Sequence, residues 1–317
     1  MKFDNRFYLI IVGTIILYIS FLIISDLNTI YNKILEMKIE FLPYVLFLAP
    51  LSWIVVFLRW HLLLKNSDII IPKKENFKIY MSGFAMSATP GKVGELIKIQ
   101  MLHSKYGIPR KKTAPIIISE QFYNIFGILV VSILGLFYFD FSIYVVFVTG
   151  CILFCTFLLL SSEKLFRKFT TLISKIKFFQ KFVPSLSDSY LILQKSTRGK
   201  IFVTSSALSV IFWMLESLIA FLVLFSFDAK IFEFLQIAAT YTTSIIIGVA
   251  SFLPMGIGVV EGSLVGFLTM HGIEFNLATA LVVFIRLFTR WIAVSVGFIA
   301  LKFTNNFTNF SKDKNEL

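Results

Sequence analysis

The stretch SATPGKVGELIKIQ, from Ser87 to Gln100, sets Pro90, Gly91, Gly94 and charges of both signs between apolar segments, where a membrane helix should run on. Proline lacks the backbone donor that a helix interior uses, and glycine weakens a helix by about 1 kcal/mol, so the stretch predicts a break between two short helices. Those flanks, residues 77–88 and 92–102, are each too short to cross a bilayer, which takes about 20 apolar residues. Basic residues lie at both ends, and lysine and arginine collect on the cytoplasmic side of membrane proteins. The segment is therefore expected to enter from the cytoplasmic side and return to it. A second interruption, SFLPMGIGVVEG from Ser251 to Gly262, carries the same ingredients in nearly the same order: Pro254, Gly256, Gly258, Glu261 and Gly262. It belongs to a segment, 232–271, whose ends fall on the outer side. The first half of that segment is long enough to cross alone, so a re-entrant and a spanning reading both stay open.

The surrounding sequence decides the class. Hydrophobic residues make up 57% of the 317 residues and charged ones 15%, with 37 phenylalanines, which is more apolar surface than a soluble core of this length needs. The chain reads as an all-α, polytopic membrane helical bundle. About six spanning helices are expected, over residues 7–25, 41–64, 113–139, 141–160, 201–227 and 276–303, together with the two interrupted segments. Residues 1–303 form one transmembrane domain, and 304–317 a short polar tail. The first run follows Lys2 and Arg6 but meets no small-residue cleavage site, so it reads as a retained helix rather than a signal peptide.

Most of the net charge of +12 lies in loops beside membrane helices, at 2–6, 65–78, 105–112 and 163–200, which points to headgroups rather than nucleic acid. This places both termini in the cytoplasm of a multi-pass plasma or inner membrane protein. The basic linker between the halves, 161–200, alternates charge with Phe166, Phe169, Ile173, Ile176 and Phe179. That pattern fits a helix lying on anionic headgroups and equally a solvated linker. Cys151 and Cys155 lie four apart on one apolar helix, where helix packing is their expected role. His61, His103 and His271 show no ligand spacing, so neither a metal nor a cofactor is expected.

Each interruption leads into a spanning helix, through YGIP from Tyr106 and HGIE from His271. The shared Gly-Ile and equal lengths set Gln121 against Arg286 and suggest two units of inverted orientation meeting near mid-membrane, as in many transporters. Irregular backbone at that depth is tolerated only inside protein or beside a wet cavity, so the breaks predict a cavity. Helix starts after Gly91 and Gly262 would aim free N–H groups at an anion. Glu95 and Glu261 fit a second role, as carboxylates that cap those same groups.

Arg286 and Arg290 are placed ~15 Å and ~21 Å along the last helix at 1.5 Å per residue, and their spacing of four puts them on one face. A charge at that depth faces the protein interior and finds a partner there. Glu120 and Glu216, on other spanning helices, are the candidates. Two readings follow: a structural ion-pair set, or an anion site for a lipid phosphate, which guanidinium suits well. Arg59 and Lys98 are expected to lie near enough to the cytoplasmic face to snorkel.

SATPGKVGELIKIQ, the Arg59-Trp60 pair, and LPMGIGVVEGSLVGF followed by Arg286 resemble the transmembrane module of the lysylphosphatidylglycerol synthase family, also described as flippase-like. The resemblance extends over most of the chain. It implies a membrane protein that moves lipids with polar headgroups between leaflets. Many relatives carry an arginine and an aspartate where this chain has Gln121 and Asn124. The bifunctional members carry a soluble lysyl-transferring domain after the membrane module, where this chain has the short polar tail 304–317, so lysyl transfer is not expected and a non-enzymatic role is. The leading expectation is a flippase or lipid-linked-saccharide transporter. Its substrate-binding set is Arg286, Arg290, Glu120 and Glu216 with the two breaks, and its partners are an anionic phospholipid or isoprenoid-linked saccharide. The alternatives are a lipid-modifying transferase, and a membrane anchor for a separate lipid synthase or glycosyltransferase.

Overall fold

The computed structural model describes residues 37–87, 96–134, 140–175, 183–229 and 232–304. The expected first span at 7–25, the break with Pro90, Gly91, Gly94 and Glu95, and the polar tail lie outside them. The described residues are helical throughout, with no strand. A 3-10 turn, Ile39–Phe41, leads into α1 (Leu42–Asn66); α2 (Lys73–Ala85) and α3 (Ile97–Tyr106) flank the first break. There follow α4 (Arg110–Ile133), α5 (Asp140–Ser161), α6 (Glu163–Ile173), α7 (Val183–Ser196) and α8 (Gly199–Ser226). The chain continues through α9 (Phe234–Ala250), a 3-10 turn at Pro254–Gly256, α10 (Val259–Met270) and α11 (Phe275–Arg286). A π-helical segment at Leu287–Trp291 joins α11 to α12 (Ile292–Phe303) without a break.

Among the described residues, four runs are long and apolar enough to cross a membrane: Ile39–Asn66, Arg110–Ile133, Gly199–Ser226 and Phe275–Phe303. They coincide with four of the six expected spans. The expected span at 141–160 is α5, beyond which the chain turns through 106° into α6. Such a turn suits a helix leaving a span to lie along a surface. On α6, Leu165, Phe169 and Leu172 are exposed along one stripe, while Phe166 is buried against Tyr190 with ring centroids 4.6 Å apart. Cys151 and Cys155 are exposed on α5 rather than packed between helices, because that face of α5 has no helix beside it among the described residues.

Contacts at the helix ends fix which way each element runs. Asn66, closing α1, donates to the Lys195 carbonyl at the end of α7, and Lys38 at the other end of α1 pairs with Asp228 beyond α8 at 2.6 Å. Hence α1 and α8 are antiparallel neighbours. Glu75, at the start of α2, holds Lys105 at the end of α3, so that the segment enters and returns on the side where α1 ends. Phe232, before α9, stacks near His271, after α10, at 5.4 Å. The second interrupted segment is therefore also a hairpin, and it enters from the opposite side, where α8 ends.

The same local device closes both hairpins. Gly107 ends α3 with φ +66°, and the Ile108 N–H turns back to the Leu102 carbonyl; after α10, Gly272 takes φ +90° and the Ile273 N–H returns to Leu268. A left-handed residue at this place satisfies the last helix carbonyls, and glycine adopts it without a Cβ penalty. The shared Gly-Ile is thus a helix stop, after which Pro109 sits as N-cap of α4.

The two hairpin units meet through the last helix. An added Cβ on Gly297 of α12 would lie 2.3 Å from the Ala85 nitrogen, so α2 and α12 touch backbone to backbone. Beyond that contact, Ser82 and Thr304 share a hydrogen bond at 3.3 Å.

Candidate functional site

The second break and the helices flanking the first meet the spanning helices around a cavity of about 320 Å³. Its charged wall comes from both units: Arg59 on α1, Lys98 on α3, Glu120 on α4, Glu216 on α8, and Arg286 and Arg290 on the last helix. Its rim is apolar. Val249, Phe252 and Leu253, which line the cavity beside the second break, are 51%, 77% and 40% exposed.

In the first unit Glu120 is the centre. Lys98 Nζ reaches Glu120 Oε2 at 2.6 Å, Tyr80 donates its hydroxyl to Oε1 at 3.0 Å, and Arg59 Nη2 lies 3.7 Å from Oε1. The Lys98 ammonium also sits over the rings of Trp60 and Tyr80, at 4.6 and 4.8 Å. Arg59 donates to Ser209 at 2.6 Å and to Asn124 at 2.8 Å. All three charged side chains are at most 2% exposed. A buried carboxylate between two cations, with neutral donors on its remaining lone pairs, is the arrangement in which attraction offsets the cost of desolvation.

The expectation that Arg59 and Lys98 snorkel to the surface does not hold. Ser209 and Glu120 lie alongside them, so each head turns inward rather than outward. Lys98 can do so because Gly83 on α2 leaves room for its stem, 3.1 Å from where a Cβ would be. The sequence carried one signal for this: a lysine and an arginine on apolar helices with a glutamate on the next.

The second unit uses the same parts with the signs exchanged. The break takes Phe252 and Met255 into left-handed backbone, at φ 55° and 53°, unusual for residues with a side chain. Arg286 Nη2 donates to the Met255 carbonyl at 2.8 Å, and its Nε reaches Glu261 Oε1 at 2.6 Å. The other oxygen of Glu261 accepts from the Gly258 N–H at 2.7 Å. Helix α10 therefore starts after Gly258, not after Gly262, which lies inside it with open space around its Cα. Glu261 caps that start, so it is both the capping carboxylate and the partner of Arg286. Glu120 and Glu216, the partners expected for Arg286, have other cations.

Glu216 belongs to Arg290, whose Nη1 lies 3.0 Å from Oε2. Ser52 donates to Oε1 at 3.1 Å and Tyr241 to Oε2 at 3.3 Å. Arg290 also lies 5.5 Å from the Trp213 ring centroid. In an uninterrupted α-helix Arg286 and Arg290 would stack on one face, but the π segment widens the turn between them. Arg286 is thereby turned to the break, and Arg290 to α8 and α9.

Of the expected substrate-binding residues, Arg286, Arg290, Glu120, Glu216 and Gly256 line the cavity, while Glu261 lies behind Arg286. Pro254 and Gly258 shape the second break. Gln121 and Asn124 also line the cavity, as do Trp53 and Trp213, which hydropathy and charge did not single out.

At the mouth of the first hairpin Glu75 receives hydrogen bonds from Lys105 and, at 3.0 Å, from Lys78. Those bonds hold its carboxyl below the usual carboxylate range, against a smaller opposing effect of burial. No curated protein matches the chain. Residues 9–297 match the family model described as the lysylphosphatidylglycerol synthase TM region.

Proposed function

The chain belongs to the lysylphosphatidylglycerol synthase transmembrane family, and from that premise we propose that it moves an anionic-headgroup lipid between leaflets. What carries the reading is the amphiphilic shape of the cavity: four cations and their carboxylates on the wall, exposed Val249, Phe252 and Leu253 on the rim. A volume near 320 Å³ holds a headgroup and leaves the acyl or isoprenoid chains outside, along the apolar rim. Two hairpins entering from opposite sides supply the halves whose relative movement would expose the headgroup to each leaflet in turn. Transport is preferred to catalysis because the two carboxylates that line the cavity among the described residues, Glu120 and Glu216, each lie against a cation and serve as counterions. In this reading the basic side faces the cytoplasm, and cysteines placed at Lys73 and Lys111 label from that side together.

The test is leaflet exchange of fluorescent phosphatidylglycerol in liposomes containing the purified chain. Exchange well above that of empty liposomes, lost in Arg290→Gln, supports transport. Exchange equal to that of empty liposomes, with tight co-purification of a lipid synthase, points to the anchor role instead.

A further inference from the structure

The four cavity cations are not equivalent. Lys98 is clamped by Glu120 under two aromatic rings, Arg59 by Ser209 and Asn124, and Arg286 by Glu261 and the Met255 carbonyl, each at most 2% exposed. Arg290 differs. Its side chain is 23% exposed, and the carboxylate opposite it, Glu216, also accepts from Ser52, which it shares with the Ala49 carbonyl, and from Tyr241, whose hydroxyl in turn accepts from Arg290 Nη2 at 3.4 Å. Glu216 can release Arg290 and still keep a hydrogen-bond donor on each oxygen, whereas Glu120 and Glu261 release a buried cation if they let go.

Among the described residues, three donors of cavity-lining side chains lack an acceptor, Arg59 Nε in the first network and two more in the second. Arg286 Nη1 and Trp53 Nε1 are buried and have no hydrogen-bond partner among the described residues. Trp53 follows Ser52, which binds Glu216, and Trp53 and Arg286 line the same cavity as Arg290 and Glu216. A guanidinium or indole N–H left without an acceptor in a low-dielectric wall is costly, and an incoming acceptor would recover that cost.

We infer that Glu216 is an exchangeable counterion: a phosphate-bearing headgroup takes its place on Arg290 and accepts from Arg286 Nη1 and Trp53 Nε1, while the Glu120 and Glu261 pairs remain closed. This deepens the transport reading by assigning the anion's seat within that cavity. It makes Glu216 a specificity residue, since a ligand must bring enough negative charge to compete with a carboxylate. A phosphate qualifies and a neutral headgroup does not.

The test is binding to the detergent-solubilised full chain, measured separately for phosphatidylglycerol, phosphatidylcholine and inorganic phosphate. Glu216→Gln can accept from one of Ser52 and Tyr241 and donate to the hydroxyl oxygen of the other, but frees Arg290, and should tighten phosphatidylglycerol binding about tenfold. Trp53→Phe should weaken it about threefold, and Arg290→Gln should abolish it. Glu75→Gln, at the mouth of the first hairpin and outside the cavity, should change it less than about twofold. Tightening for inorganic phosphate as well marks phosphate itself as what is recognised; tightening for the lipid alone marks a lipid headgroup. Unchanged affinity in Glu216→Gln, or equal tightening in Glu75→Gln, overturns the assignment. If Glu216→Gln does not fold, Glu216→Asp, which draws the carboxylate back from Arg290, must tighten binding in its place. Binding needs no leaflet exchange, so a chain that binds as described but fails to transport would retire the transport reading and leave the counterion exchange standing.

Discussion

The two hairpin units are built alike and charged oppositely. In the first, the cation stands on the helix after the break, Lys98, and the carboxylate on the spanning helix, Glu120; in the second, the carboxylate is Glu261 after the break and the cation is Arg286 on the spanning helix. Either assignment neutralises a buried charge, so the architecture constrains the pairing and not its sign. The units differ in closure. The first network is sealed, while the second continues through a π turn to Arg290, which remains partly open to the cavity. The sealed half reads as the fixed wall and the open half as the working face.

The comparison breaks most visibly at Glu120. Glu120→Gln leaves Lys98 and Arg59 buried without their counter-charge, and unfolding of the detergent-solubilised chain should show a loss of about 3–5 kcal/mol. A change below about 1 kcal/mol would mean that the first network is not the wall described.

In the second unit, Arg286→Gln and Glu261→Gln should each cost about 3 kcal/mol, and the double variant should recover most of it, because both charges then leave together. The pairing expected from sequence alone, Arg286 with Glu216, predicts recovery in a different double variant. Running both cycles decides between partners, and recovery with Glu216→Gln instead would undo the sign-exchanged symmetry.

The contact between the units is tested at Gly297. Its missing Cβ lets α12 lie against Ala85 and Phe84, and Gly297→Ala must push the two backbones apart, for about 1–3 kcal/mol. Gly266→Ala, on α10 with nothing within 4 Å, is the neutral control. Equal thermal stability of the two variants would show that the units do not meet there.

The smallest effect lies at the mouth of the first hairpin. Glu75 has a lowered pKa when folded, so its contribution is present above the unfolded carboxylate value and is lost as pH falls through the folded one. The chain should lose a little stability below about pH 4, and Glu75→Gln should flatten that part of the profile. An unchanged slope would remove Glu75 from the closure of the mouth.

Much of this was legible in the chain. Four spans followed from hydropathy, because a bilayer accepts only helices that satisfy their own backbone over about 20 apolar residues. The second break followed from Pro254 and its glycines, since these residues act through local backbone geometry that needs no partner; that the shared Gly-Ile is a helix stop came only from the structure. Arg286 and Arg290 were singled out because charge in an apolar run is costly wherever it lies. What only the tertiary structure decided was who meets whom. Glu261 rather than Glu216 faces Arg286, Lys98 and Arg59 turn inward, and a π turn separates two arginines that a regular helix would stack. Those outcomes depend on which helix lies alongside and at what rotation. An ion pair forms across elements distant in sequence, and a fraction of a helical turn redirects a side chain from one neighbour to another.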